Sequence, residues 1–375
     1  MSLRVTRAES PEALLEIQRF RYSVYVDEMG KPIAHADHDL QVLADPEDAT
    51  GQVFACHDDA GLIGTIRLAT GPDSPENAHA GLYRLDLFPD VARPQVAFAS
   101  RFMLRSDHRG GLAAHRLCLA ALDAALDADV RLVFCHCAPY LVGYYEQLGF
   151  RRYTDNFHDA LGYRVPMLLV LRDKAHLEAV RSPLAARIPD PVDEAWGGWF
   201  GARFPDFVFP ANARLVATDA FYELLNRKLH DDPRKTIPLL RGLEQEEAEA
   251  VLRAGTILGC ADGDRLLREG ELSGEIYLNL SALVGIRHPD RQGWLSLLGP
   301  GELIGEMAFL MSSRRTADVT VIRGGEILLL SERTLKRLMD ERPGAASKVL
   351  FNLAKILCER LASTTRSLVD TARQA

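Results

Sequence analysis

The stretch Gly301 to Val321, GELIGEMAFLMSSRRTADVTV, places a glycine, a carboxylate and an arginine where together they can hold a phosphate diester. Gly305 lets backbone N–H groups approach an anion with no side chain in the way. Glu306 offers an acceptor to a sugar hydroxyl, and Arg315, nine residues on, supplies a fixed positive charge and a fork of donors. Met307, Ala308, Thr316 and Ala317 complete the loop, and the two alanines are small enough to leave it open. Nearer the N-terminus, Arg109, Gly110 and Gly111 precede a helical pattern that opens with Leu112, Ala113 and Ala114. A glycine turn at a helix start points free N–H groups at an anion. Arg21, Arg67, Ser100 and Arg101, with the acids Asp37 and Asp39, form a further charged set; each arginine taken alone reads as a surface salt bridge.

The elements that must position these groups alternate in type. Leu3 to Arg7 reads as a strand, and Ser10-Pro11-Glu12 as the start of a helix through LLEIQRFRYSVYVDEM. Gln52 to His57 and Leu62 to Ala69 are apolar runs around a DDAG turn; Val96 to Leu104 is a further strand. The helix LAAHRLCLAALDAALDA follows, then a strand Val130 to Cys135, a helix Tyr140 to Leu148 and a last strand Gly162 to Leu171. This order predicts α+β architecture with one mixed sheet. Downstream, short strands flank the phosphate-binding stretch, and Ala346 to Ala372 reads as one long amphipathic helix. Its heptad-like seam alternates Leu350, Leu357 and Thr364 with Ala354, Leu361 and Leu368.

A chain of 375 residues with 47% hydrophobic content has room for two or three domains, each with its own core. A net charge of -8 argues against a broad nucleic-acid-binding surface, so no nucleic-acid partner is expected. Six scattered cysteines suit a reducing compartment better than a disulfide framework. Cys135 and Cys137 flank His136 without a second ligand pair at zinc spacing; they read as strand residues, and no metal is expected. There is no signal-peptide core at the N-terminus and no long uncharged apolar run, which predicts a cytoplasmic protein with no membrane span.

The Gly305, Glu306 and Arg315 pattern resembles the phosphate-binding cassette of cyclic nucleotide-binding domains, as in catabolite activator proteins and cyclic-nucleotide-dependent kinases. The resemblance runs from about Ile237 to the C-terminus and implies a jelly-roll β-barrel with a C-terminal helix. It implies cyclic AMP as effector, with cyclic GMP the alternative that Thr316 leaves open. The long helix implies closure over the nucleotide or a homodimer. Ala282 departs from the pattern, standing where the family usually has a glycine; no helix-turn-helix of the kind that transcription factors carry is expected after the long helix.

The first 172 residues are similar to the GNAT superfamily of acyltransferases, on the strand, RGG turn, helix, strand and YYEQLGF in sequence. Either register of the glycine motif leaves one mismatch, with Leu112 at a glycine or His108 at the basic position. The resemblance implies an acyl-CoA or acyl carrier protein donor at Arg109, Gly110, Gly111, Ala113 and Ala114. Tyr145 matches the tyrosine whose phenol protonates the departing thiolate, and the oxyanion would be held by backbone N–H groups where the Val96 to Leu104 strand splays. Arg21 in RYSVYVDE, Asp37 and Asp39 in HADHD, Arg67 in GTIRL and Ser100-Arg101 follow one another much as in acyl-homoserine lactone synthases, a branch shared with N-acyl amino acid synthases. That likeness implies an acceptor site at these residues. Phe98 stands where the lactone synthases usually carry a glutamate.

The expected organisation is therefore a GNAT mixed sheet flanked by helices over 1–172, an aromatic-rich segment over 173–234 and a cyclic nucleotide-binding domain over 235–375. Trp196, Trp199, Phe200, Phe204, Phe207 and Phe209 in the middle segment should be buried, as a plug or as a wall over an acyl chain. The expected function is transfer of an acyl group from a thioester to a small-molecule or protein amine under cyclic-nucleotide control. The alternatives are a cyclic-AMP-regulated protein lysine acetyltransferase and a nucleotide sensor on a decayed acyltransferase scaffold.

Overall fold

The computed structural model describes residues 2–374 apart from 32, 71–79, 160, 190–195, 197, 208–217, 230, 291–292 and 312; the side chains of 218–221, 224, 228 and 367–374 are also outside the described set. The chain divides into two compact units, residues 1–210 and 211–375.

The first unit is built on a mixed sheet of β1 (Arg4–Arg7), β2 (Gln52–Asp58), β3 (Gly61–Thr70), β4 (Val96–Leu104), β5 (Leu132–Cys137), β6 (Arg151–Arg152), β7 (Phe157–Asp159) and β8 (Gly162–Val170). The spatial order is β1-β2-β3-β4-β5-β8-β6, with β7 paired to β8. Helix α1 (Pro11–Tyr22) starts as its sequence predicts: the Ser10 hydroxyl accepts from the Ala13 N–H, and Pro11 opens the first turn. The helical run then continues as a π-helical turn over Ser23–Glu28. Such turns are rare and are frequently found at functional sites. Helix α2 (Leu112–Asp127) makes the crossover between the parallel pair β4 and β5, and α3 (Val142–Leu148) follows β5.

The two faces of this sheet are filled differently. On one, α2 buries Leu117, Ala121 and Ala125 and packs towards β2, β3 and β4. On the other lies an aromatic cluster of Tyr83, Phe88, Phe98, Phe134, Tyr153, Phe200 and Phe204, with Trp196, Trp199 and Phe207 against it. The aromatic stretch after residue 172 therefore packs within the first unit, on α5 (Trp199–Arg203), after the short α4 (Lys174–Ala179). Phe209 lies outside the described residues.

The second unit opens with α6 (Thr218–Leu229), α7 (Pro233–Thr236) and α8 (Gln245–Arg253), the last with a Glu244/Glu247 capping box. Its strands are β9 (Thr256–Cys260), β10 (Arg265–Leu267), β11 (Glu275–Asn279), β12 (Leu283–Arg287), β13 (Ser296–Leu298), β14 (Leu303–Ile304), β15 (Asp318–Arg323) and β16 (Gly325–Ser331). They form two four-stranded antiparallel sheets, β10-β15-β12-β13 and β14-β11-β16-β9. Between β14 and β15 sits α9 (Glu306–Met311); α10 (Glu332–Glu341) and α11 (Pro343–Gln374) end the unit. The stripe that α11 buries is Ala346, Val349, Leu353 and Ile356. Of the predicted seam, Ala354 and Leu361 are exposed, Leu350 and Leu357 are half-buried, and the Leu368 side chain is outside the described set. The turn after β11 needs no glycine: the Asn279 side chain accepts from the Ala282 N–H at 2.9 Å and donates to the Ala282 carbonyl at 2.9 Å, two hydrogen bonds that tie the turn to its own strand.

Candidate active site and nucleotide site

In the first unit the sheet forks. Parallel pairing of β4 with β5 runs through Val96↔Leu132, Ala97↔Val133 and Phe98↔Phe134 and ends there, although both strands continue, to Leu104 and Cys137. Beyond the fork, β4 carries a bulge. Thr65 pairs with Met103 and Arg67 with Ser100, so Ile66 alone faces Arg101 and Phe102, and Arg101 takes a left-handed φ of 52°. A non-glycine residue in that region is strained, and something must hold it. The bulge breaks the alternation of the strand, so that consecutive residues Ser100 and Arg101 point to the same side.

What holds Arg101 is Asp45, in a two-pronged pair: Nε donates to Oδ2 at 2.5 Å and Nη2 to Oδ1 at 2.5 Å. The guanidinium also lies 5.5 Å from the centre of the Tyr25 ring, on the π-helical turn. Arg67 donates from Nε to the Ser100 hydroxyl at 3.0 Å, and from Nη1 to Asp45 at 3.2 Å and Asp48 at 3.1 Å. Arg21, fully buried, donates from Nη1 to Asp48 Oδ2 at 2.6 Å and to Asp45 at 3.4 Å. Burial works against the charge on Asp45, but Arg101, Arg67 and Arg21 outweigh it and hold the carboxyl below its ordinary value. The structure thus gathers Arg21, Arg67, Ser100 and Arg101 on one face, as predicted from their order in the sequence. Asp37 and Asp39 are not with them; both are exposed, and Asp37 accepts from the Leu40 N–H in a turn. The acids in the cluster are Asp45 and Asp48, which sequence reasoning missed. Their signal was the run Asp45-Pro46-Glu47-Asp48, a capping box around a proline that fixes both carboxylates on one short turn.

Tyr145 lies on the opposite face. It lines an apolar cavity of about 50 Å³ with Ala99 and Phe102 of β4, Val133 of β5, and Cys118 and Ala121 of α2. Burial pushes its phenol well above the usual value, so it keeps its proton at neutral pH. The glycine turn is in place at the start of α2. Gly110 has φ 74° and Gly111 is the N-cap, with no side-chain cap on the first-turn N–H groups. Ala113 and Ala114 are buried, so only their backbone could meet a donor. Leu112 is exposed, and Arg109 turns back to the Leu104 carbonyl and to Glu28.

In the second unit Gly305 has φ 83°, and a side chain there would put its Cβ 2.5 Å from Arg315 Nη1. Only glycine fits. Arg315 is buried, donating to Ser273 Oγ at 2.8 Å, to the Gly305 carbonyl at 2.7 Å and to the Glu275 carbonyl at 2.7 Å. Glu306 is buried beside it and accepts from Arg360 Nη1 of α11 at 2.5 Å, while Arg360 Nη2 reaches the Leu303 carbonyl at 2.6 Å. Ala308 is buried, Ala317 half-buried, and Met307 and Thr316 exposed at the rim. Arg360 was not singled out from the sequence; its partner lies 54 residues away.

Residues 16–172 match the family N-acyl amino acid synthase FeeM, and residues 260–342 match the cyclic nucleotide-binding domain. The chain is 32% identical over 130 residues to the cyclic AMP receptor protein of Thermus thermophilus, an alignment that takes in 34% of this chain and 58% of the relative. It is 25% identical over 135 residues to the CRP-like cAMP-activated global transcriptional regulator of Mycobacterium tuberculosis, with 35% of this chain and 58% of the relative aligned. The chain thus spans rather more than half the length of these relatives. Among solved structures, a CoA-dependent acyl-homoserine lactone synthase, BjaI, with SAM and isopentyl-CoA aligns over 50% of this chain and 90% of its own, at 15% identity and a TM-score of 0.40. The chain carries an N-terminal domain of the N-acyl amino acid synthase type and a C-terminal cyclic nucleotide-binding domain.

Proposed function

We propose that the protein is a cytoplasmic GNAT-type N-acyltransferase that moves an acyl group from a thioester, acyl-CoA or acyl carrier protein, to the amine of an amino acid, and that cyclic nucleotide binding to the second unit regulates it. The observation that carries the reading is the fork after Phe98 and Phe134, with an apolar cavity and a protonated phenol on one face and the arginine cluster on the other. A thioester whose carbonyl sits in the fork would meet strand N–H groups freed from pairing, which can stabilise the oxyanion. Its acyl chain would enter the cavity beside Tyr145, whose hydroxyl would protonate the leaving thiolate. The uncapped start of α2 would receive the donor's phosphates. Arg21, Arg67 and Arg101 gather at this face with Asp45, Asp48 and, 3.8 Å from Arg67, Glu47; an acceptor carboxylate would compete with these acids for the guanidiniums. The name of the matching family supports the same acceptor class.

In the second unit, a cyclic phosphate would take the place of the Gly305 carbonyl on Arg315, and a ribose hydroxyl would compete with Arg360 for Glu306. Since the nucleotide would change what α11 is bonded to, binding and helix position are coupled. The test is incubation of the full chain with acyl-CoAs from acetyl to palmitoyl, or acylated carrier protein, and a mixture of amino acids, with and without cyclic AMP. Mass spectrometry should find N-acyl amino acids, at a rate that the nucleotide changes. Absence of any amide product would refute the enzymatic reading, and equal rates with and without nucleotide would refute the regulatory one.

A further inference from the structure

Acyl transfer to an amine needs a group that takes the proton the nitrogen gives up, and on β4 the side chain next to the fork is Phe98, which cannot. We propose that His136 is that catalytic base, an inference that rests on the acyltransferase reading. On β5, Leu132, Phe134 and His136 alternate onto one face, and Leu132 and Phe134 share a cluster with Phe98 there. Pairing with β4 stops at Phe134, so His136 is the first side chain of β5 on this face past the fork. Arg67 and its partner Ser100, two residues beyond Phe98, belong to this same face. The acceptor side is thus bounded by the arginine cluster on one prong and an imidazole on the other.

Tyr83 ties the two prongs together. Its ring centre lies 5.1 Å from that of Phe98 and 5.8 Å from that of His136, and its hydroxyl oxygen is 2.9 Å from His136 Nδ1. With Nδ1–H donating to the Tyr83 oxygen, Nε2 carries the lone pair that accepts a proton. Nε2 also lies 4.0 Å from Asp159 Oδ2 of β7, so the imidazolium formed in the reaction would face a carboxylate. Asp159 in turn accepts from Arg164 Nε of β8 at 3.2 Å and from the Leu161 N–H at 2.7 Å. The Phe157 ring packs edge-on against the imidazole with centres 5.4 Å apart. The His136 side chain is 28% exposed, which leaves it accessible to a substrate.

The step balances as follows. The neutral amine nitrogen attacks the thioester carbonyl carbon and a C–N bond forms; the nitrogen loses one proton to His136 Nε2; the C–S bond breaks and the thiolate takes a proton from Tyr145. The products are an amide and a thiol. His136 returns its proton through solvent to Tyr145, which restores both groups. Tyr83 and Asp159 are positioning residues.

The test uses the full chain, the acyl-CoA and amino acid pair with the highest wild-type rate, and amide formation across a range of pH. His136→Gln should lower kcat by roughly a hundredfold or more, leave KM for the acyl-CoA unchanged and remove the fall in rate on the acid side. Added imidazole should restore part of the activity of His136→Gly, which a packing role would not allow. Tyr83→Phe, which keeps the ring and loses the bond to Nδ1, should shift the acid limb of the profile. A His136→Gln enzyme with wild-type kcat and an intact acid limb would overturn the inference while leaving the acyltransferase reading standing. A wild-type chain that forms no amide from any pair would overturn that reading, and the inference with it.

Discussion

Asp45 is the carboxylate on which Arg21, Arg67 and Arg101 converge, and replacing it by asparagine keeps its shape while removing its charge. In the wild type its oxygens accept from Arg101 twice at 2.5 Å, from Arg67 at 3.2 Å and from Arg21 at 3.4 Å. In Asp45→Asn, Arg21 and Arg67 keep Asp48 within hydrogen-bonding distance, whereas Arg101 loses the carboxylate it pairs with, and the amide NH2 must face one of the guanidiniums. Breaking a buried ion pair by removing one partner costs about 3–5 kcal/mol. Arg101 is partly exposed, so the lower end, ~3 kcal/mol, is the expected loss. With a urea slope of ~1–3 kcal/mol per molar, the midpoint should fall by about 1–3 M. Trp196 and Trp199 pack in the first unit and Trp294 lies in the second, so fluorescence in a Trp294→Phe background reports the unit that carries the change. The pH dependence has a definite sign. Asp45 has a lowered value in the folded state, so its contribution is present above the unfolded carboxylate value of about 3.9 and is lost as pH falls through the folded one. The gap between variant and wild type should therefore stay constant through the neutral range and close below about pH 4. Equal urea midpoints at pH 7 would refute the claim that Asp45 holds the arginines.

Three other outcomes are expected. Arg315→Ala should weaken cyclic AMP binding by ~1.5–3 kcal/mol, the worth of a charge-assisted bond, as read by calorimetry; equal affinities would remove Arg315 from the site. Tyr145→Phe should cut turnover by roughly a hundredfold without changing donor KM, because only the proton donor is lost from a packed ring; wild-type turnover would make it a packing residue. His176, pulled down to about 4 chiefly by burial and then by Arg151, must be neutral in the fold. The unfolded chain therefore binds a proton that the fold refuses, and stability should fall by up to ~3 kcal/mol as pH drops from about 6.5 to 4. His176→Leu should flatten that part of the profile in urea unfolding, and an unchanged slope would assign it to other groups.

Much of this could be read from the chain. Gly305, Glu306 and Arg315 were legible because the groups that meet lie within one loop and its two flanking strands. The strand and helix order of the first unit followed from periodicity, as did the arginines from their sequence. The acids did not. Asp37, Asp39, Asp45 and Asp48 are alike as residues, and what separates them is contact with arginines 19 to 56 residues away in the chain. The left-handed Arg101 was hidden for a different reason: glycine or asparagine would have marked it, whereas an arginine is held there by a partner rather than by its own preference. Arg360 was invisible on both counts, being an ordinary helical residue with a distant partner.

The bulge at Arg101 also acts as a shift of reading frame. Upstream of it Ala99 faces the cavity, and downstream Phe102 does so again after an interval of three rather than two. Leu104 then follows in phase, its Cδ2 on the α2 side together with Leu117 at Gly64. Deleting Ser100 or Arg101 would restore strict alternation and keep Phe102 and Leu104 in the apolar layer, but would leave one side chain rather than two on the charged side between Ala99 and Phe102. The apolar layer therefore tolerates the extra residue, and it is the charged face that depends on it: the bulge puts two consecutive side chains, Ser100 and Arg101, where a regular strand would put one.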